Sequence, residues 1–80
     1  MYLRIVGSEE LLFDGDIYGF TSNALDGNIT FLEDHEDYIT VLKKGDLGLI
    51  DTKGEKPKRK ITLREDSLLL VEGNRAMVFC

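Results

Sequence analysis

One histidine among carboxylates is the residue whose type and spacing could most readily do chemistry. His35 lies in the run Glu33–Asp37, an arrangement that could hold a metal ion or relay a proton. Adjacent residues of an extended chain point to opposite faces, so Asp34, His35 and Glu36 converge only if the backbone bends tightly. Metal sites also need spaced ligands with supporting hydrogen bonds. We therefore interpret this run as a solvated corner or a partner contact, and predict no metal and no cofactor.

Nucleophilic catalysis has little support in the sequence. Cys80 is the single cysteine, which excludes an internal disulfide and is typical of a reducing cytoplasm. No base is placed near it, and neither a G-x-S-x-G elbow nor a phosphate-binding loop is present. The glycines at turn positions, Gly15, Gly27, Gly45 and Gly73, lead into strands rather than helices, which argues against phosphate binding. The sequence thus predicts a protein that is not an enzyme.

A basic cluster holds half of the ten Lys and Arg residues of the chain: Lys53, Lys56, Lys58, Arg59 and Lys60. It could contact an acidic protein surface or nucleic acid. It could equally be an edge hairpin whose lysines block pairing with other chains. The net charge of −5 and the absence of interleaved aromatic residues argue against nucleic acid, so we favour the edge hairpin.

Size and composition indicate one globular domain over residues 1–80. Hydrophobic residues make up 42% of the chain and charged residues 31%, which fits a packed domain rather than a disordered tail. No apolar run approaches the ~20 residues of a membrane span. The first residues alternate like a strand and show no signal-peptide pattern, so no membrane insertion is predicted.

Alternating apolar residues with frequent turn signals predict an all-β fold. We expect a small two-sheet β-sandwich of about nine to ten short, mostly antiparallel strands. The central unit runs from Gly27 to Gly45, with strands at Asn28–Leu32 and Tyr38–Leu42. Ile29 and Phe31 are predicted core residues. The other expected features are a corner or bulge at Gly7-Ser8, a tight turn at Asp14-Gly15, a strand over Asp16–Thr21 and a hairpin loop at Thr52–Pro57.

The pattern resembles the N-terminal β-sandwich domain of the epsilon subunit of the rotary ATP synthase, called delta in mitochondria. The resemblance covers essentially the whole chain. Its stretches are Leu3-x-Ile5-Val6, Leu12-Phe13-x-Gly15, Gly27-x-Ile29-Thr30-Phe31-Leu32-x-x-His35, Ile39-Thr40-x-Leu42-Lys43-x-Gly45-x-Leu47 and Leu69–Arg75 with Val78. The family usually has Leu-Pro-Gly-His-Ala-Pro where this chain has Leu32–Asp37. Family members also continue into a two-helix hairpin that inhibits ATP hydrolysis. We therefore expect the structural role without the regulatory one, in a naturally short form or a truncated one.

The resemblance implies a central-stalk rotor component that docks on the gamma subunit and on the polar loops of the c-ring. It assigns a gamma side to Gly7, Ser8, His35, Tyr38, Thr40 and Leu42, with an exposed apolar patch around Tyr38 and Leu42. It assigns a c-ring side to Asp26, Gly27 and Asn28. The implied location is the cytoplasmic face of a bacterial membrane, peripheral, or the cytoplasm when unassembled.

The alternative is a small-ligand or carbohydrate-binding β-sandwich unrelated to ATP synthase. Its pocket would have converging polar groups, with Asp34, His35 and Asp37 as the predicted lining.

Overall fold

The computed structural model describes residues 1–25, 27–33 and 36–80, and within them the protein is all β. No helix occurs in these ranges. The nine strands are β1 (Tyr2–Val6), β2 (Leu11–Asp16), β3 (Gly19–Ala24), β4 (Gly27–Leu32), β5 (Tyr38–Leu42), β6 (Gly45–Ile50), β7 (Arg59–Leu63), β8 (Ser67–Glu72) and β9 (Arg75–Phe79). The predicted fold class and strand number are confirmed.

The strands form two layers that share one core. The five-stranded layer has the order β2-β1-β9-β8-β5, and the four-stranded layer has the order β4-β3-β6-β7. A single bridge, between Ala24 and Leu42, joins the two layers along the sheet path. β1 and β9 are parallel, and the remaining pairs are antiparallel.

The chain passes from one layer to the other at the end of β5. Strand β5 pairs with β8, and after Lys43-Lys44 the chain continues as β6, which pairs with β3 and β7. Gly45 has a φ of 133°, a backbone conformation that side chains disfavour. The corner is held by the amide of Lys43, which donates to the carbonyl of Asn23 at 2.7 Å. Strands that change sheets at such corners are a regular feature of sandwiches.

The core consists of aliphatic side chains packed around one cluster of three aromatic rings. Phe20 and Phe31 are fully buried and stack with ring centroids 5.0 Å apart, and Tyr38 packs against Phe31 at 5.8 Å. Leu3 and Ile5 are fully buried, as their alternation predicts. The residues of both layers belong to one buried cluster, so the layers stabilise each other.

Two local predictions are wrong at the start of the chain. Asp14-Gly15 is not a turn but lies inside β2, opposite Arg4 and Leu3. The chain turns later, where the amide of Ile17 donates to the carbonyl of Met1 at 2.8 Å. The strand expected at Asp16–Thr21 consequently begins at Gly19. Full-length pairing of β2 with β1 outweighs the local turn preference, because local propensity in strands is a weak constraint.

The predicted irregularity near Gly7-Ser8 is present. The amide of Gly7 donates to the carbonyl of Glu10 at 2.8 Å, which closes the corner between β1 and β2. The register of the β1–β2 pair shifts next to this corner: Val6 lies opposite Leu11, whereas Ile5 lies opposite Phe13. This bulge places Phe13 toward the core and Leu11 toward solvent.

Candidate interaction surface

An apolar surface covers most of the outer face of the five-stranded layer. Directly opposite residues on neighbouring strands form crosswise rows, and their side chains lie on the same face. One row is entirely apolar and consists of Val41, Leu68, Phe79, Val6 and Leu11. The next row is apolar at Ile39, Leu70 and Met77 and continues to the charged Arg4 and Asp14. These eight residues are called the outer apolar face. Its most exposed members are Ile39 at 68%, Leu11 at 49%, Leu68 at 47% and Phe79 at 43%.

This layer is apolar on both faces, which is unusual for a sheet that has one face exposed to solvent. On β8, Leu69 and Val71 are fully buried, while Leu68 and Leu70 between them belong to the outer apolar face. A sheet with two apolar faces is normally covered on both. Exposed apolar patches of this kind mark interaction sites.

The rest of the outer face of this layer is polar. These polar residues lie at the end of β1 and β9 that is far from Gly7. The members of this polar corner are Tyr2, Arg4, Asp14, Asp16, Glu72 and Arg75. The hydroxyl of Tyr2 donates to Asp14, and the guanidinium of Arg75 lies 5.8 Å from the centre of the Tyr2 ring. The hydrogen bond to Asp14 raises the pKa of Tyr2 above its ordinary value of 10.0, with smaller contributions from burial and from the charge of Asp14.

The residues predicted for the gamma side differ in their exposure. Leu42 is fully buried, so the expected exposed patch around Tyr38 and Leu42 is not there. Tyr38 and Thr40 are half-buried and alternate with Ile39 and Val41, which belong to the outer apolar face. The strand was predicted correctly and its exposed face was not. Because YITVL is apolar or neutral at every position, its alternation does not show which side faces solvent.

The remaining gamma-side residues are separated from Tyr38. Gly7 and Ser8 follow Val6 and line a shallow depression with Thr62 and Arg64 at one end of the molecule. Tyr38 lies opposite Val71, near the other end of the five-stranded layer. His35 lies outside the described residues.

The residues predicted for the c-ring side lie at the β3–β4 turn. Gly27 and Asn28 are exposed there, and Asp26 lies outside the described residues. The Asn28 amide donates to Asn23 at 3.1 Å and accepts from the Thr21 hydroxyl at 3.0 Å, which stiffens the hairpin. Leu25, 60% exposed, is in the same turn. Because Ala24 pairs with Leu42, this turn lies at the same end of the molecule as Gly7 and Ser8.

The basic cluster lies on the β6–β7 hairpin, and β7 is an edge strand, as the hairpin interpretation predicted. Arg59 forms an ion pair with Asp51, and Lys58 lies 3.6 Å from Glu55. Arg59 also lies 5.5 Å from the centre of the Phe13 ring on β2, the edge strand of the other layer. Part of this positive charge is therefore engaged within the domain.

The described residues contain neither a metal-binding cluster nor a membrane-spanning helix. No group of three or more His, Cys, Asp or Glu side chains within residues 1–25, 27–33 and 36–80 could hold a metal ion. Among the same residues no helix is long and apolar enough to cross a membrane. Asp37, a predicted pocket residue, accepts a hydrogen bond from the amide of Gly73 at 3.0 Å, while Asp34 and His35 lie outside the described residues.

Sequence reasoning missed the outer apolar face. The signal in the sequence is the run Leu68–Val71, which is apolar at four consecutive positions. Because successive strand residues point to opposite faces, this run contributes apolar side chains to both faces of the sheet. Its neighbours Met77 and Phe79 alternate with the buried Ala76 and Val78 in the same way.

Comparisons with known proteins agree with this architecture. The family model "ATP synthase, Delta/Epsilon chain, beta-sandwich domain" matches residues 1–80. A solved chain from the central stalk and c-ring of the Tetrahymena thermophila mitochondrial ATP synthase superposes with a TM-score of 0.74 at 13% sequence identity. The match covers 98% of this chain and 60% of that one, so this chain spans less than two thirds of its relative. No curated protein matches.

Proposed function

Because the chain belongs to the ATP synthase delta/epsilon chain β-sandwich domain family, we propose that it is a non-catalytic central-stalk subunit of a rotary, proton-translocating ATP synthase. In this role it docks on the gamma subunit and on the c-ring loops, and couples proton transport to ATP synthesis performed elsewhere in the complex. It would be held peripherally at the cytoplasmic face of a bacterial membrane through these partners.

The outer apolar face is the observation that carries this proposal. A non-catalytic rotor subunit must bind its neighbours stably. Stable interfaces bury about 1,200 Å² or more around an apolar centre. Leu68 and Phe79 lie at the middle of such a surface and are about half exposed in the free domain. We assign this face to the gamma subunit.

The β3–β4 turn suits the second contact. Asn28 and Gly27 present polar backbone and amide groups at one end of the sandwich, beside the exposed Leu25. Such a polar tip can contact the polar loops of the c-ring. Electrostatic complementarity between them would orient the subunit more than it would add to the affinity. We assign this end, with Asp26, to the c-ring.

Co-purification and titration with the gamma subunit test the proposal. Leu68→Lys places a charge in the centre of the outer apolar face and should weaken gamma binding by at least about tenfold, as at the centre of other interfaces. Leu25→Lys adds the same charge at a more exposed leucine outside that face and should leave gamma binding unchanged. Failure of the unmodified domain to bind gamma at micromolar concentrations would refute the proposal.

A further inference from the structure

Strand β5 has an unprotected edge. On one side it pairs with β8 along its whole length, and on the other side only Leu42 is paired, with Ala24. Among the described residues, no strand lies alongside Ile39–Val41 on that second side. About 10 Å of strand edge is therefore open, at ~3.4 Å per residue.

Two of the three other edge strands, β2 and β7, carry features that discourage strand addition, whereas the β4 edge is uncharged but carries the polar Asn28 and Thr30. The β2 edge has a bulge and the carboxylates Asp14 and Asp16, and the β7 edge has Arg59 and Lys60. Bulges and edge charges are the usual protection of natural sheets. In contrast, β5 reads YITVL, without charge, proline or glycine, and it carries Ile39, the most exposed large apolar residue of the described chain.

The chemistry of an edge determines what can cover it. A row of backbone N–H and C=O groups is satisfied fully only by another extended backbone, and the alternate side chains of the added strand pack beside those of the edge. Next to β5, these side chains would extend the outer apolar face beyond Ile39 and Val41. We propose that β5 accepts an extended segment of the gamma-side partner by strand addition, an inference that rests on the proposed function.

The geometry restricts the added segment. Ala24 already occupies the edge at Leu42, so the segment lies beside Ile39–Val41 and continues past the Tyr38 end. Asp37 is exposed at that end. The matching segment therefore has apolar residues at alternate positions and a lysine or arginine at the end that passes this carboxylate.

A second copy of this chain fits the edge less well. An antiparallel pair centred on Thr40 would match Asp37 with Lys43, but Tyr38 of one copy would meet the position that Ala24 occupies beside Leu42. A pair centred on Ile39 avoids Ala24 but loses the charge match. The net charge of −5 on each copy also opposes association.

Hydrogen exchange of the full chain with and without purified gamma subunit tests the inference. We expect the amides of Ile39–Val41 to be protected in the complex. Ile39→Lys should weaken gamma binding by at least about tenfold, since it places a charge on the edge and on the outer apolar face, and Thr30→Lys, at an exposed position of the edge strand β4 in the other layer, serves as the matched control. Gamma binding that is weakened by Leu68→Lys but leaves hydrogen exchange of Ile39–Val41 unchanged would overturn strand addition while leaving the proposed function intact.

A second probe does not depend on gamma. A capped peptide, a lysine followed by alternating valine and threonine, should shift the amide NMR signals of Ile39–Val41 at millimolar concentration, and Ile39→Lys should abolish the shifts. Absence of such shifts, together with no gamma-dependent protection, would refute the inference. A concentration-dependent dimer in sedimentation that is lost in Ile39→Lys would refute it in favour of a second copy.

Discussion

Phe31 and Ile29 lie on the same side of β4 but differ in burial. Phe31 is fully buried between Phe20 and Tyr38, whereas Ile29 is half-buried at the border of the core. Phe31→Ala should lower the free energy of unfolding by about 3–5 kcal/mol, because the lost ring leaves a cavity. Ile29→Ala should cost less than the about 2 kcal/mol typical of a fully buried isoleucine. Urea unfolding followed by circular dichroism separates the two, and equal losses would contradict the burial difference.

Tyr2 provides a prediction on alkaline pH. Its pKa is raised in the folded protein because the protonated hydroxyl donates to Asp14. The stabilisation from this bond is therefore complete below pH 10 and is lost as pH rises through the raised pKa. In absorbance titration at 295 nm, Tyr2→Phe should remove the phenol that ionises at the highest pH. If the remaining tyrosines keep that component, the raised pKa belongs elsewhere.

At the scale of elements, Arg59 connects the two edge strands β2 and β7. Its side chain forms an ion pair with Asp51 and lies over the ring of Phe13, so it contacts both layers. A partly exposed cation over an aromatic ring is worth about 0.5–1 kcal/mol. Arg59→Ala should speed hydrogen exchange in β2 and β7 selectively, and Lys53→Ala on the same hairpin should not. Uniform acceleration over all strands would indicate a general loss of stability instead.

The sequence predicts elements better than it predicts which faces they expose. The strand Tyr38–Leu42 is predicted with the bounds that the structure shows, because turn signals lie on both sides of it. Gly19 is a position where another backbone approaches closely, since a Cβ there would lie 2.4 Å from the carbonyl oxygen of Phe31. The exposure of Leu42 was misassigned, because a strand that is apolar on both faces has no polar side to mark the solvent. The turn at Asp14-Gly15 failed because strand pairing decided the register.

At the scale of the whole molecule, the sandwich separates its surfaces by chemistry. One layer presents the outer apolar face, and the other presents polar groups such as Thr21, Thr30 and Asn23. The end with the β3–β4 turn also carries the corner at Gly7-Ser8. This division suits a subunit that is held along one face and touches a second partner with one end.

That division predicts different thermodynamics for the two contacts. The proposed docking of gamma on the outer apolar face would remove apolar surface around Leu68 and Phe79 from water, so calorimetry should give a negative heat-capacity change of binding. Its affinity should change little between about 0.05 and 0.5 M salt, since screening acts on charges rather than on apolar burial. Association with the c-ring through the polar turn should weaken over the same range. A strongly salt-dependent gamma affinity with no heat-capacity change would mean that charged groups of the polar corner, such as Arg4 and Arg75, carry the docking in place of the apolar rows.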